Sequence, residues 1–212
     1  MNQPSSARLH AGIEKLGLIL DPPAEQRLLD YLELLSKWNR VYNLTAIRDE
    51  SEMVSQHLLD SLAVLSYLNG NSIRTLADVG SGGGLPGIPL AIARPQIKVA
   101  LIESSQKKAS FLQQVKIELG LKNVSVHCLR IQDFKTSELF DRVISRAFSS
   151  LKEFVFQSSH LLAAGGRLLA MKGIHPKHEI ADLPSGWQIR QVIPLQVPEL
   201  EAQRHLIVIE KA

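Results

Sequence analysis

A single cysteine, Cys128, is all the thiol chemistry in 212 residues. One thiol excludes an intrachain disulfide framework and a cysteine-rich zinc site, and it fits a reducing compartment. Aromatic residues are scarce, at 5%, which argues against a surface that grips single strands by base stacking alone. Long apolar runs are missing too. The longest, such as 161–164, fall far short of the roughly 20 residues that span a bilayer. The polar start carries Arg8 with no apolar segment behind it, so no signal peptide is read. A soluble, cytoplasmic protein without a membrane partner is expected. Charge of one sign is nearly balanced by the other: 24 Lys and Arg face 21 Asp and Glu, for a net +3 and a pI near 9.0. Such an excess permits a nucleic-acid partner without demanding one. What is present is a globular balance, 45% hydrophobic and 21% charged. At about 150 residues per domain, the length gives one domain with an appendage or two small ones, with enough core to need no staples.

The first seventy residues read differently from the rest. Leu28, Leu29, Leu32, Leu35 and Trp38 recur at helical spacing over 24–38, behind Asp21-Pro22-Pro23 as an acidic cap with prolines in the first turn. A second helix is predicted over 51–68, with Met53, Val54, His57, Leu58, Ser61, Leu62 and Leu65 on one stripe and Asp49 and Glu52 at capping-box spacing. A short helix over 8–18 completes a helical cap, residues 1–70. After Asn69-Gly70-Asn71 the period changes. Strands are predicted at 76–79, 97–103, 124–130, 142–145 and 167–171. Helices are predicted up to Arg94, over 104–119 with Gly120 as a left-handed stop, over 150–163 with Ser150 and Glu153 as a capping box, and over 176–183. This alternation implies a parallel doubly wound sheet over residues 71–212. The end departs from it: 187–195 and 205–210 read as two strands joined by a polar loop too short for a parallel crossover, hence an antiparallel pair.

The sharpest motif is Gly80-Ser81-Gly82-Gly83-Gly84-Leu85-Pro86-Gly87, which follows a strand and opens a helix. In that context a glycine loop marks a cofactor site, because glycines let the backbone turn tightly and approach a ligand. Glu103 ends the next strand, where a carboxylate can accept bonds from a ribose diol. Loop and acid together serve both NAD and S-adenosylmethionine. Two details favour the methyl donor. Leu85 and Pro86 stand where a dinucleotide fingerprint wants small residues, and the following helix is short and bounded by Pro89 and Pro95. A pyrophosphate would want free amides there, whereas S-adenosylmethionine has no phosphate. The terminal strand pair also suits a methyltransferase sheet.

The residues after the fourth strand narrow the acceptor. An Asp/Asn-Pro-Pro-aromatic motif for amino methylation would stand where Ser145-Arg146-Ala147-Phe148 does. Carbon-5 methylation needs a cysteine nucleophile, and Cys128, inside the third strand, reads as a small buried residue. A ribose methylase would want an acid where Arg146 stands. Guanine N7 fits, because its lone pair is free and no proton must be removed, so transfer relies on positioning. Arg146 is the candidate positioning residue, with no catalytic base assigned. His57 with Asp60, and Arg204 with His205, can be read as catalytic pairs, the first equally as a helix-surface feature. His175 and His178 lack a third ligand, so no metal is expected. Lys107 and Lys108 read as a solvated helix face.

Trp38-Asn39-Arg40-Val41-Tyr42-Asn43-Leu44-Thr45, followed by His57-Leu58-Leu59-Asp60-Ser61, resembles the front of the bacterial glucose-inhibited division protein B family. The donor loop 78–90, Val143-Ile144-Ser145-Arg146-Ala147, Lys172-Gly173 and Arg204-His205-Leu206 are similar to later blocks of that family. The resemblance covers nearly the whole chain. It implies a class I S-adenosylmethionine-dependent methyltransferase, a Rossmann-like and mostly parallel sheet with a C-terminal antiparallel hairpin and an N-terminal helical cap. It implies transfer to guanine N7 in the 530 loop of 16S ribosomal RNA, presented on small-subunit particles, with S-adenosylhomocysteine as product. The donor site would include Gly80, Leu85, the backbone near Ile131-Gln132, and Arg146, beside the Gly82, Gly84 and Glu103 read from the loop. Glu103 stands where relatives often have aspartate, Gly83 where proline is frequent, and Gln132 where an acid is common. A monomer is expected. The same residues leave open a methyltransferase of another RNA or of a small molecule, and a donor-binding module without catalysis.

Overall fold

In a computed structural model, the chain is described over residues 4–68, 73–146 and 148–212. The expected junction at Asn69-Gly70-Asn71, and Ala147, lie outside the described residues. Helix α1 (Ser5–Lys15) leads to α2 (Pro22–Tyr42). The cap of α2 is the expected one: Asp21 accepts the Ala24 N–H at 2.8 Å, and prolines fill the first turn. The helix buries Leu28, Tyr31, Leu32, Leu35 and Asn39, and it continues four residues beyond the predicted end, to a left-handed stop at Asn43.

The single helix expected over 51–68 is broken. A short α3 (Glu50–Met53) runs into a π turn (Val54–Leu59), then α4 (Asp60–Leu62) and a 3₁₀ turn (Leu65–Leu68). Asp49 caps α3 through the Ser51 N–H and hydroxyl, while the Glu52 side chain turns to Gln56. The π turn widens the coil, a feature frequent at functional sites. His57 and Asp60 are both buried by it, which overturns their reading as a surface feature.

Strands β1 (Thr75–Val79), β2 (Lys98–Glu103), β3 (Val124–Cys128), β4 (Phe140–Ser145), β5 (Leu162–Lys172), β6 (Trp187–Pro194) and β7 (His205–Lys211) form one sheet. Its order is β3-β2-β1-β4-β5-β7-β6. The first five strands pair in parallel, and β7 is inserted antiparallel between β5 and β6. Helices α5 (Gly87–Ala93), α6 (Gln106–Glu118), α7 (Leu151–Ser158) and α8 (Lys177–Ala181) complete the elements. One expectation is corrected. The helix predicted to reach residue 163 stops at Ser158, and β5 begins at Leu162, so Gly165 and Gly166 lie inside a strand that pairs irregularly with β4. The β3–β4 link holds a 3₁₀ turn (Ile131–Asp133).

One hydrophobic cluster runs from Leu28, Leu35 and Leu58 in the helical segment to Ile88, Leu101 and Leu112 around the sheet. A second covers the other face, around Phe154, Val143 and Leu168. Strand order reverses between β1 and β4, and in open α/β sheets ligands bind outside the carboxyl ends of strands at that point.

Candidate active site

The glycine loop leaves β1 at that point and is tied on several sides. The Gly80 N–H reaches the Ile102 carbonyl at 2.9 Å, and the Ser81 hydroxyl reaches the Asp78 carbonyl at 2.8 Å. Glu103 clasps the loop: Oε2 accepts the Gly82 N–H and Oε1 the Ser105 N–H, both at 2.8 Å. From the helical segment, the Tyr31 hydroxyl donates to the Gly83 carbonyl at 2.6 Å. Tyr31 is fully buried, and that burial drives its hydroxyl pKa upward. Sequence reading missed it, because a tyrosine on a helical stripe looks like any other core residue.

Beneath the loop lies Asp78, fully buried. Its Oδ2 accepts the Gly87 N–H at 2.8 Å, and Oδ1 has no partner among the described residues. Burial pushes its pKa up to about 7, against the Gly87 bond and the Arg146 charge, which pull it down. Near pH 5–6 the folded chain therefore holds a proton that the unfolded chain has released. Stability from this group is full below about pH 4 and is lost as pH rises through about 7. Asp78→Asn mimics the protonated form. Urea unfolding at stepped pH should show wild type losing stability relative to this variant across that window. A difference that stays flat with pH overturns the assignment.

A cavity of about 570 Å³ opens beside the loop, lined by Gly80, Ile102, Ser104, Leu129, Ile131, Gln132, Phe148 and Ser149. Of the predicted donor residues, this brings together Gly80, Ile131 and Gln132. Glu103 lies between the lining residues Ile102 and Ser104. Gly82 has a positive φ, and a Cβ there would meet nothing closer than the Gly80 carbonyl at 3.9 Å, so the loop keeps open space that a ligand can use. Gly84 and Leu85 face away. A Cβ on Gly84 would meet Ile88 at 2.6 Å and Leu112 at 2.9 Å, and Leu85 is buried in the core cluster. A cleft of about 620 Å³ elsewhere, lined by Thr75, Lys98 and Val124 near the starts of β1–β3, contains none of the loop.

Arg146 lines a different cavity, of about 380 Å³, with Gln56, His57, Asp60, Lys172 and Arg204. Asp60, 1% exposed, joins two arginines: Oδ2 lies 3.2 Å from Arg146 Nη1 and Oδ1 lies 2.9 Å from Arg204 Nε. His57 pairs with neither; its Nε2 lies 2.9 Å from Thr45 Oγ1. Asn39 holds the intervening loop, accepting the Thr45 N–H at 2.8 Å and donating to the Ile47 carbonyl at 3.0 Å. Burial, helped by the nearby Arg146 charge, lowers the His57 pKa to about 4, so the ring is neutral at pH 7. His205 donates to the Gly173 carbonyl at 2.8 Å, so Arg204 and His205 serve separate partners.

Residues close in sequence after β4 line both cavities, Arg146 the smaller and Phe148 and Ser149 the larger. Lys172 Nζ holds that segment through the Phe148 and Ser149 carbonyls, both at 3.1 Å, and pairs with Glu179 at 2.8 Å. Cys128 is exposed rather than buried, with Sγ 3.1 Å from Gln106 Oε1. Lys107 is exposed at the start of α6, with Nζ 5.3 Å from the Tyr42 ring centre. His175 packs edge-on against His205, and no group of three or more metal-ligating side chains occurs among the described residues.

Sheet order, switch-point loop and carboxylate clasp define a class I S-adenosylmethionine-dependent methyltransferase fold. A methyltransferase of that dependence from Aquifex aeolicus shares it, with TM-score 0.58 and 18% identity over 82% of this chain and 97% of that one. TYW2 from M. jannaschii, solved with AdoMet, matches at TM-score 0.55 and 16% identity over 71% of this chain and 74% of that one. The particular family is given by sequence: residues 24–207 match the GidB family, rRNA small subunit methyltransferase G. A relative from Aromatoleum aromaticum named "Ribosomal RNA small subunit methyltransferase G" is 56% identical, covering 98% of this chain and 99% of its own. The chain belongs to that family, as the front motif and donor loop led one to expect.

Proposed function

We propose that this protein transfers a methyl group from S-adenosylmethionine to N7 of a guanine in the 530 loop of 16S rRNA, within small-subunit particles. The observation that carries the reading is the cavity lined by Arg146, Asp60, Lys172 and Arg204, which offers positioning groups and, among the described residues, no free base. Asp60 is engaged by two arginines, and His57, with a pKa near 4, is a weak proton acceptor. An acceptor that must lose a proton is poorly served there, whereas N7 needs only alignment. S-adenosylmethionine, when bound, supplies an electrophilic methyl on a sulfonium. Gly80, Gly82 and the Ile131-Gln132 backbone would hold that donor, with Glu103 accepting from its ribose through lone pairs left beyond the two amide bonds. Arg146 would position the acceptor from the smaller cavity. Residues 1–70 act as a cap on the acceptor side and 71–212 as the transfer domain. The protein works as a cytoplasmic monomer without a membrane partner, and S-adenosylhomocysteine is the second product.

The test uses labelled donor and small-subunit particles from cells lacking this enzyme, followed by digestion of the rRNA to nucleosides. Label in 7-methylguanosine mapped to the 530 loop is expected, weakening as salt rises because phosphate contacts supply affinity. Label in another nucleoside favours a different RNA chemistry. Donor binding without label on a verified substrate favours a binding module.

A further inference from the structure

Two exposed apolar residues stand side by side at the end of α2, Val41 at 70% and Tyr42 at 41%. Others such as Ile19, Ile117 and Phe156 stand alone in the chain, which is ordinary for a surface. The Tyr42 ring is backed by Trp38, centre to centre 5.0 Å, and Trp38 in turn packs on the buried Phe111 of α6 at 5.4 Å. Lys107 Nζ stands over the Tyr42 ring, 5.3 Å from its centre. Lys107 is exposed and has no carboxylate partner among the described residues. A backed aromatic ring beside an unpaired cation is the chemistry that holds an unpaired nucleotide, the ring for the base and the cation for its phosphate.

The patch borders the site through both of its helices. Earlier along α2, Tyr31 donates to the Gly83 carbonyl and Leu35 lies close against Gly83. Helix α6 starts just after Glu103, whose carboxylate clasps the Gly82 N–H. Asn39, between Trp38 and Tyr42, donates to the carbonyl of Ile47, and Ile47 lines the cavity that holds Arg146. An RNA loop that delivers one base to that cavity must lay its neighbouring nucleotides on the surface around it. Resting on the ribosomal-RNA reading above, though not on which guanine is the target, we propose that Tyr42 is a stacking platform for an unpaired base adjacent to the target nucleotide, with Lys107 on its phosphate. A cation over an exposed ring is worth about twofold to fivefold in an equilibrium. A base stacked on the ring is worth roughly fivefold to 150-fold. The base therefore displaces the ammonium, and the flexible lysine stem lets that charge turn to the phosphate.

The test uses the full-length protein and reconstituted small-subunit particles whose rRNA is intact or abasic at the 5′ or the 3′ neighbour of the target. Tyr42→Ala should lower kcat/KM on intact particles by roughly fivefold to 150-fold, the worth of one stacked base, and the loss should fall on KM rather than kcat. Donor affinity by calorimetry should not change. Tyr42→Phe, which keeps the ring, should recover most of the loss. Tyr42→Leu, which keeps apolar bulk without a flat face, should behave as the alanine does. At one of the two neighbours an abasic site should cost wild type the same factor and cost Tyr42→Ala nothing further. Lys107→Ala should flatten the slope of log affinity against log salt by about one. A folded Tyr42→Ala with wild-type KM overturns the proposal. So does a wild type indifferent to both abasic sites, a result that needs no variant. A Tyr42→Ala loss that adds in full to the loss from either abasic site assigns the patch to a protein of the particle and overturns it as well. Wild type that labels no rRNA refutes the functional reading itself, and the proposal falls with it.

Discussion

Asp60→Ala should cost about 3 kcal/mol of stability, the lower end for breaking a buried ion pair. The low end applies because the arginine side chains are 30% and 24% exposed while the Asp60 side chain is 2% exposed, so water can recover part of their hydration. The larger effect is on turnover. Arg146 comes from the end of β4 and Arg204 from the loop before β7, and the carboxylate is what holds the two guanidinium groups together. Without it their like charges separate, and the acceptor wall shifts by the order of an ångström, which is worth roughly 100-fold in rate. Donor affinity should change little. Asp60→Asn keeps one acceptor oxygen and should fall between. Urea unfolding, donor calorimetry and particle methylation check the three parts. Wild-type turnover in a folded alanine variant would remove Asp60 from the site.

Gly84→Ala should destabilise by about 2–5 kcal/mol, adding a left-handed backbone penalty to overpacking. Its φ is +92°, and the added Cβ would collide with Ile88 and Leu112, both core residues with little room to retreat. The same substitution displaces the donor loop, so S-adenosylmethionine affinity should fall with stability. Gly82→Ala separates the two effects. Its Cβ meets open space, so the packing loss is absent and the strain alone remains. Thermal unfolding with and without donor distinguishes them, and equal stability of Gly84→Ala and wild type refutes the packing role.

Much of this molecule was legible before any fold was known. The cap at Asp21, the strands β1, β2 and β4, the stop at Gly120 and the antiparallel end rest on local rules: prolines that lack a donor, a glycine that tolerates positive φ, a link too short to cross over. The glycine loop after β1 and the place of Glu103 beside it were legible for the same reason, since a strand, a glycine turn and an acid at the next strand's end are close in sequence. Local rules also failed in places. An apolar stripe fitting 3.6 residues per turn concealed the π turn over Val54–Leu59, because packing on all sides rather than periodicity decides the winding there. Cys128 looked like a core residue, yet its place at the end of β3 leaves it exposed.

By itself the sequence determined the fold class, the glycine loop and the family, because each is written in short segments whose chemistry is complete within a few residues. It did not determine who partners whom. His57 and Asp60 sit three apart and invite pairing, as do Arg204 and His205, but the ion pair that forms joins Asp60 to Arg204, 144 residues away. Gly84 and Gly82 look alike in the loop, and only packing shows one against the core and the other against open space. Tertiary structure decided these, because a buried charge or donor takes the complementary group that the fold delivers, whatever its distance along the chain.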